Sequence, residues 1–209
     1  MHRFPAVSLT ILSLVFFMSS TQAAGLGAFA NISPGAADWE VDDAGLELDF
    51  EGDTRRLSFG FVMDTAPAQD RLFNYRLNVG LEAFEADWDD TCCEMDLGGV
   101  AVDNTFGFGV LRTDSVRLWV GPSVRVGFYG GDLEPLGDDL YLLELGVGGA
   151  LGVNFNVGSR VTLGLTAGYV FSGYGGVIDF APDEEDITGG DGRVFLNGVF
   201  MLRTGSDAR

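Results

Sequence analysis

The feature that most constrains this chain is an alternation of apolar and non-apolar residues with a period of two. It is clearest from Val116 to Tyr129, where every even position is apolar. The odd positions of the same stretch mix arginine, serine, glycine and aromatic residues. Successive side chains of a β-strand point to opposite sides, whereas a helical face repeats about every 3.6 residues. The pattern therefore predicts a strand with one apolar face and one mixed face.

The same alternation recurs along the chain and predicts eight strands. They cover residues 25–32, 55–64, 72–86, 97–111, 116–129, 141–155, 160–172 and 193–203. Crossing a bilayer at the usual tilt takes about 9–11 residues per strand, which most of these stretches provide. We therefore predict an all-β fold, a closed antiparallel up-and-down transmembrane β-barrel of about eight strands.

The predicted connections alternate in length, as they do in barrels with short periplasmic turns and long outer loops. The short ones are 64–71, 112–115 and 156–159, and the long ones are 33–54, 87–96, 130–139 and 174–192. Residues 45–50 also alternate, but a ninth membrane strand would leave the two termini on opposite sides. We interpret them as a strand extension or flap outside the membrane.

Two features favour a membrane barrel over a soluble one. Glycine is frequent on the mixed face, which suits the narrow interior of an eight-stranded barrel better than a solvated surface. The apolar face carries aromatic residues near strand ends, as an interfacial girdle does. These residues are Phe59, Tyr75, Phe128, Tyr141, Phe155, Tyr169 and Phe171. The alternative is a soluble periplasmic binding barrel of the lipocalin type.

The N-terminus has the pattern of an export signal. His2 and Arg3 precede an apolar run from Phe4 to Met18 and a small-residue site ending at Ala23. This order is typical of a secretory signal peptide, and the run is shorter than the ~20 residues of a membrane helix. We predict residues 1–23 as the signal peptide and residues 24–209 as one barrel domain.

The chain resembles the small outer-membrane barrels of the OmpA, OmpX and OmpW group. The resemblance lies in the strand pattern and in pieces such as 154–158, Asn-Phe-Asn-Val-Gly, followed by Gly168-Tyr169. It implies a location in the bacterial outer membrane, among outer-membrane lipid and lipopolysaccharide, and insertion by the outer-membrane assembly machinery. We expect a monomer.

The mixed faces of the predicted strands would place polar side chains of both charges inside the barrel. They are Arg56, Arg76, Asn78, Glu82, Asp103, Thr105, Arg117, Arg125, Glu144, Asn154 and Arg193. Opposite charges in a lumen that excludes most water are expected to pair. The set thus predicts a structural salt-bridge plug, and a narrow ion or small-solute pore with exchanging partners is the alternative.

The charge balance excludes several functions. The chain has 31 acidic and 12 basic residues and a net charge of −19, which disfavours nucleic-acid binding. It has no lysine, and its single histidine, His2, lies in the predicted signal peptide. Barrel hydrolases commonly need a histidine to move a proton near neutral pH. We therefore predict a non-enzymatic protein with a structural or surface-interaction role.

The four long connections contain 23 of the 31 acidic residues and no arginine. Oxygen ligands suit Ca²⁺ or Mg²⁺, so the clusters are candidates for loop-bound metal, with a solvated acidic surface as the alternative. The candidates are Asp87, Asp89, Asp90, Asp183, Glu184, Glu185 and Asp186. We expect no other cofactor.

The two cysteines, Cys92 and Cys93, are adjacent in the second long connection. An exported protein meets an oxidising compartment, where free thiols seldom persist. A disulfide, within the pair or between molecules, is therefore favoured over a soft-metal site.

Overall fold

The computed structural model describes residues 25–43, 46–68, 71–88, 94–134, 138–180 and 183–204, so the predicted signal peptide lies outside it. The strands are β1 Gly25–Asp43, β2 Leu46–Asp64, β3 Phe73–Trp88, β4 Glu94–Arg112, β5 Val116–Glu134, β6 Asp138–Val157, β7 Val161–Phe180 and β8 Asp183–Arg203. Each pairs antiparallel with the next, and β8 pairs with β1. The predicted eight-stranded closed barrel is confirmed. Within the residues described, no helix is long and apolar enough to span a bilayer.

Every predicted strand overlaps an observed one, but the observed strands are longer, with 16 to 21 residues. The long loop predicted over 33–54 is wrong, because most of it pairs as one continuous β1–β2 ladder up to Asp43–Leu46. The strand extension predicted at 45–50 is correct from Leu46 onward. Residues 174–192 likewise lie mostly in β7 and β8. Such strands are longer than the roughly 9–11 residues that usually cross a bilayer.

Short turns join neighbouring strands at one end of the barrel, which we call the lower end. The other end, where the strands extend into the stretches predicted as long loops, is the upper end. Residues 65–72, 113–115 and 158–160 connect β2 to β3, β4 to β5 and β6 to β7, near the predicted positions. Gly158 has a φ of 60°, which glycine adopts without steric cost. The Thr113 hydroxyl accepts from the Val116 backbone N–H at 2.9 Å and closes its turn.

The polarity of the two faces inverts along the strands, whereas their exposure keeps one phase. In the lower part of the barrel most outward side chains are apolar, and many are exposed, such as Phe59 at 60% and Phe171 at 63%. In the upper part the outward side chains are acidic, as at Asp38 and Glu40, whereas the inward Trp39 is only 2% exposed. Inward positions thus stay inward along the whole strand. The outer surface changes from one that suits lipid to one that suits water.

Two apolar clusters lie in the lumen, a large one at its upper end and a small one on the β8–β1–β2 side of its lower part. The upper apolar cluster comprises Ala37, Trp39, Phe84, Ala86, Met95, Leu97, Tyr129, Leu140, Leu142, Tyr174, Ile178 and Ile187, with Phe50 packed against it. The lower apolar cluster comprises Phe29, Val62, Val199 and Met201. Polar side chains fill much of the remaining lumen.

Candidate functional site

The centre of the lumen is organised around Glu144 of β6, whose side chain is fully buried. Three arginines from three other strands pair with its carboxylate. Arg56 of β2 lies 3.2 Å away and Arg125 of β5 lies 3.1 Å away, and Arg193 of β8 also forms an ion pair. Strands on several sides of the ring are thereby joined through one carboxylate.

Two hydroxyl groups complete the shell of Glu144. Tyr129 donates a hydrogen bond to it at 2.6 Å, and Ser172 donates one at 2.7 Å. A buried carboxylate is costly unless its lone pairs are satisfied by charged and polar donors. Five donor groups meet this requirement at Glu144.

The arginines extend this centre into what we call the upper ion-pair network. Its members are Arg56, Glu82, Asp103, Arg125, Glu144, Asp191 and Arg193. Arg56 contacts Asp191 at 3.0 Å and Glu82 at 3.4 Å. Its guanidinium also lies 3.6 Å from the centre of the Phe84 ring, a cation–π contact. The network is therefore continuous with the upper apolar cluster.

A second polar group lies below, around Arg76 of β3. Arg76 donates to Asp64 at 3.0 Å, to Thr166 at 3.0 Å and to Asn154 at 2.8 Å. Its guanidinium lies 4.9 Å from the Trp119 ring centre. This lower polar group contains one carboxylate, Asp64, and is thus distinct from the acid-rich network above.

The β2–β3 turn is held beneath the lumen by the same residues. Asp64 accepts the Ala66 backbone N–H at 2.9 Å, and Asn154 donates to the Pro67 carbonyl at 3.1 Å. Ala66 and Pro67 are both buried. The turn therefore covers the lower end of the lumen.

A cavity of about 30 Å³, measured as the space open to the centre of a water molecule, separates the two polar groups. That is room for about two waters. Five side-chain atoms of its lining residues find no hydrogen-bond partner within the described structure. They are Arg56 Nε, Asn78 Oδ1, Glu82 Oε2, Ser123 Oγ and Asn197 Oδ1. The cavity is thus polar and suited to water.

The structure places all eleven predicted inward residues on the inside of the barrel. Glu82, Asp103, Arg125 and Glu144 meet in the upper network, whereas Arg76 belongs to the lower group. Arg117 lies lower still, with its guanidinium 3.2 Å from Asn74.

Sequence reasoning missed Asp191 and Tyr174, which both bind Arg56 in the upper network. Both fall in the stretch predicted as the loop 174–192, whose acidic residues the sequence predicts at the surface. The signal that could have found them is continued alternation through that stretch.

The metal candidates are dispersed. Asp87 and Asp186 are exposed on the outer wall, and residues 183–185 lie on β8 at its upper end. Asp89 and Asp90, together with Cys92 and Cys93, lie outside the described residues. In the described part of the chain no three His, Cys, Asp or Glu residues are grouped so as to hold a metal ion.

The exposed apolar side chains of the lower outer wall, such as Phe59 and Phe171, form what we call the apolar band. Above it the outer wall carries an acidic belt. Its exposed members are Asp38, Glu40, Glu51, Asp53, Glu85, Asp87, Glu94, Asp96, Asp139 and Asp186. Asp38 faces Glu51 directly across β1 and β2, and Glu85 faces Asp96 across β3 and β4. Like charges in such positions repel. The belt is compatible with water around the wall and incompatible with hydrocarbon.

The seam between β1 and β8 has one interruption. The paired residues pass from Ile32–Leu196 to Gly35–Arg193, and Pro34 in the interval has no backbone N–H to donate. The Ser33 hydroxyl instead donates to the Val194 carbonyl at 2.8 Å. A side chain thus satisfies a backbone acceptor of the seam.

We predict that Ser33→Ala lowers the free energy of unfolding by about 1 kcal/mol, because it removes this hydrogen bond at a buried position. Equilibrium unfolding in lipid vesicles measures the change. Ser123→Ala is the matched control, since Ser123 is also buried and its hydroxyl has no partner within the described residues. Equal losses for both variants would contradict the assigned role of Ser33.

Comparison with solved structures identifies the fold. OprG, an outer membrane protein of Pseudomonas aeruginosa, superposes with a TM-score of 0.68 at 13% identity, covering 88% of this chain and 97% of that chain. Neisserial surface protein A covers 82% of this chain and 97% of its own at 16% identity, with a TM-score of 0.33. Ail of Yersinia pestis covers 85% and 99% at 13% identity, with a TM-score of 0.36. These two scores are too low to add to the argument.

No protein-family model and no curated protein matches the sequence. The similarity to OprG at this level of identity is one of fold. The chain has the fold of a small outer-membrane β-barrel, as its resemblance to the OmpA, OmpX and OmpW group predicted.

Proposed function

We propose that this protein is a non-enzymatic outer-membrane barrel with a structural and surface-interaction role, and that its lumen is a plug. The single observation that carries the proposal is the filling of the lumen. The upper apolar cluster and the β2–β3 turn cover its ends, and an ion-paired centre leaves a cavity of about 30 Å³. Eight strands enclose a space just wide enough for side chains, and here large side chains occupy it.

The exposed apolar side chains of the outer wall are suited to contact with lipid. Leu145, Val147 and Leu151 are each about 60% exposed on one strand, and such a band encircles the barrel. A soluble lipocalin-like barrel would present this surface to water, where apolar patches of that size promote association. The fold of OprG supports the same location, with outer-membrane lipid and lipopolysaccharide as neighbours and the outer-membrane assembly machinery as the route of insertion.

Our proposal that the protein is not an enzyme rests on its sequence. A chain without lysine, and whose single histidine is His2, lacks the usual groups that exchange protons near neutral pH. The buried carboxylates Glu82 and Glu144 are engaged by arginines. The acidic belt then forms the part of the barrel available for contacts with water-borne partners.

Planar bilayer recordings test the plug. We expect wild-type protein inserted in its folded form to give no steady, discrete conductance, because the ion pairs and both apolar clusters obstruct the lumen. Heat-modifiable mobility on gels, a property of folded barrels, verifies insertion in the same sample. Reproducible single-channel steps from inserted protein would favour the competing function, a narrow ion or small-solute pore.

A further inference from the structure

One outward side chain of the apolar band is an amide. Asn104 of β4 lies eight residues after the exposed Asp96 and eight residues before Arg112, the last residue of the strand. Eight residues of a strand tilted by about 40° rise roughly 20 Å along the membrane normal. Hydrocarbon extends only about 15 Å to either side of the bilayer centre. In the membrane orientation of the proposed function, on which this inference rests, Asn104 therefore lies near the bilayer centre.

The surroundings of Asn104 are apolar. Its cross-strand neighbours are Leu77 on β3 and Val124 on β5, and its outward neighbours on β4 include Phe106. Among the outward side chains of the band that the structure describes, Asn104 is the single amide and none is charged. An amide at this position is costly unless its donors and acceptors are satisfied.

Half of that requirement is met within the chain. The Tyr75 hydroxyl donates to Asn104 Oδ1 at 2.6 Å. Within the described residues the Asn104 Nδ2 group makes no hydrogen bond, although it carries two N–H donors. The oxygen keeps one further lone pair. One donor group and one acceptor site thus face the hydrocarbon together.

We propose that a second copy of this chain satisfies the amide, through a twofold contact between the lipid-facing surfaces of β3 and β4. A carboxamide is self-complementary, since the Nδ2 of each copy donates to the Oδ1 of the other about a twofold axis. Two copies in one membrane place Asn104 at the same depth. Acyl chains offer no acceptor there, and lipid carbonyls and phosphates lie at the interface, more than 10 Å away. The proposed dimer replaces the monomer expected from the sequence.

Förster transfer between two labelled populations in vesicles, measured against protein-to-lipid ratio, tests the contact. We expect reversible dimers of the wild-type barrel and about tenfold weaker association for Asn104→Leu, because interfacial hydrogen bonds in membranes contribute modestly. Leu165→Ala on β7 is the control, since it alters an exposed aliphatic side chain on another strand. Asn104→Leu should leave heat-modifiable mobility intact, whereas a purely structural amide would make the variant less resistant to unfolding.

Cysteine cross-linking locates the contact. In a Cys92→Ser, Cys93→Ser background, Asn104→Cys should form a disulfide-linked dimer on oxidation, and Leu165→Cys should not. Inserted wild-type protein that stays monomeric at high density, or dimers indifferent to Asn104→Leu, would overturn the contact and leave the proposed function intact. Failure of the wild-type chain to insert would overturn both.

Discussion

Replacing Glu144 with glutamine is expected to lower the free energy of unfolding by about 3–5 kcal/mol, the usual cost of removing one partner from a buried ion-pair centre. The substitution preserves shape and volume but leaves Arg56, Arg125 and Arg193 without the carboxylate that they share. An amide nitrogen would also face guanidinium donors. Unfolding by guanidinium chloride in lipid vesicles, followed by circular dichroism, measures the loss in free energy of unfolding.

The matched control is Asp139→Asn on the same strand. Asp139 is exposed in the acidic belt, and exposed substitutions of this kind usually change stability by less than about 0.5 kcal/mol. Combining Glu144→Gln with Arg193→Gln should cost less than the sum of the single changes, since the two groups share one interaction. Additive losses, or a Glu144→Gln barrel as stable as wild type, would refute the central role given to Glu144.

The lower part of the barrel was predictable because one physical rule governs it. An apolar outer wall around a narrow polar lumen requires every second residue to be apolar, as from Val116 to Phe128. The inward positions of Arg125 and Glu144 follow directly from that phase. Their partners do not follow, because pairing across the lumen depends on the register of several strands at once.

The upper part was mistaken for loops for a related reason. Along β1 the apolar residues other than Phe29 occupy even positions up to Ala36 and then shift to odd positions at Ala37 and Trp39. Period-two reasoning treats such a shift as the end of a strand. In the structure the strand continues in the same phase, so acids such as Asp38 lie exposed on the outer wall while Trp39 enters the lumen.

The same inversion explains why the predicted network was incomplete. Tyr174 and Asp191 lie on β7 and β8 close to the shift, where inward side chains change from polar to apolar. Acidic residues are abundant just above, so Asp191 looked like one more surface carboxylate. Its burial depends on position along the strand, which composition alone does not reveal.

The upper apolar cluster is where the second large effect is expected. Trp39 is buried, its ring centre lies 4.9 Å from that of Tyr174 and 6.2 Å from that of Phe84, and Gly189 opposite it leaves room for the indole. Trp39→Ala should lower the free energy of unfolding by about 3–5 kcal/mol through lost burial and an unfilled cavity. Guanidinium unfolding of the inserted barrel, followed by gel mobility, measures it.

Trp39→Phe separates packing from hydrogen bonding in that loss. The indole N–H has no hydrogen-bond partner within the described residues, so Trp39→Phe removes side-chain volume but no hydrogen bond. Its loss in free energy of unfolding should be less than half that of Trp39→Ala. Neither variant should conduct ions, because Arg56 and Glu144 still obstruct the lumen below. A Trp39→Ala barrel as stable as wild type would mean that the upper cluster does not hold the extended wall together, and steady channels in it would identify Trp39 as the barrier to conduction.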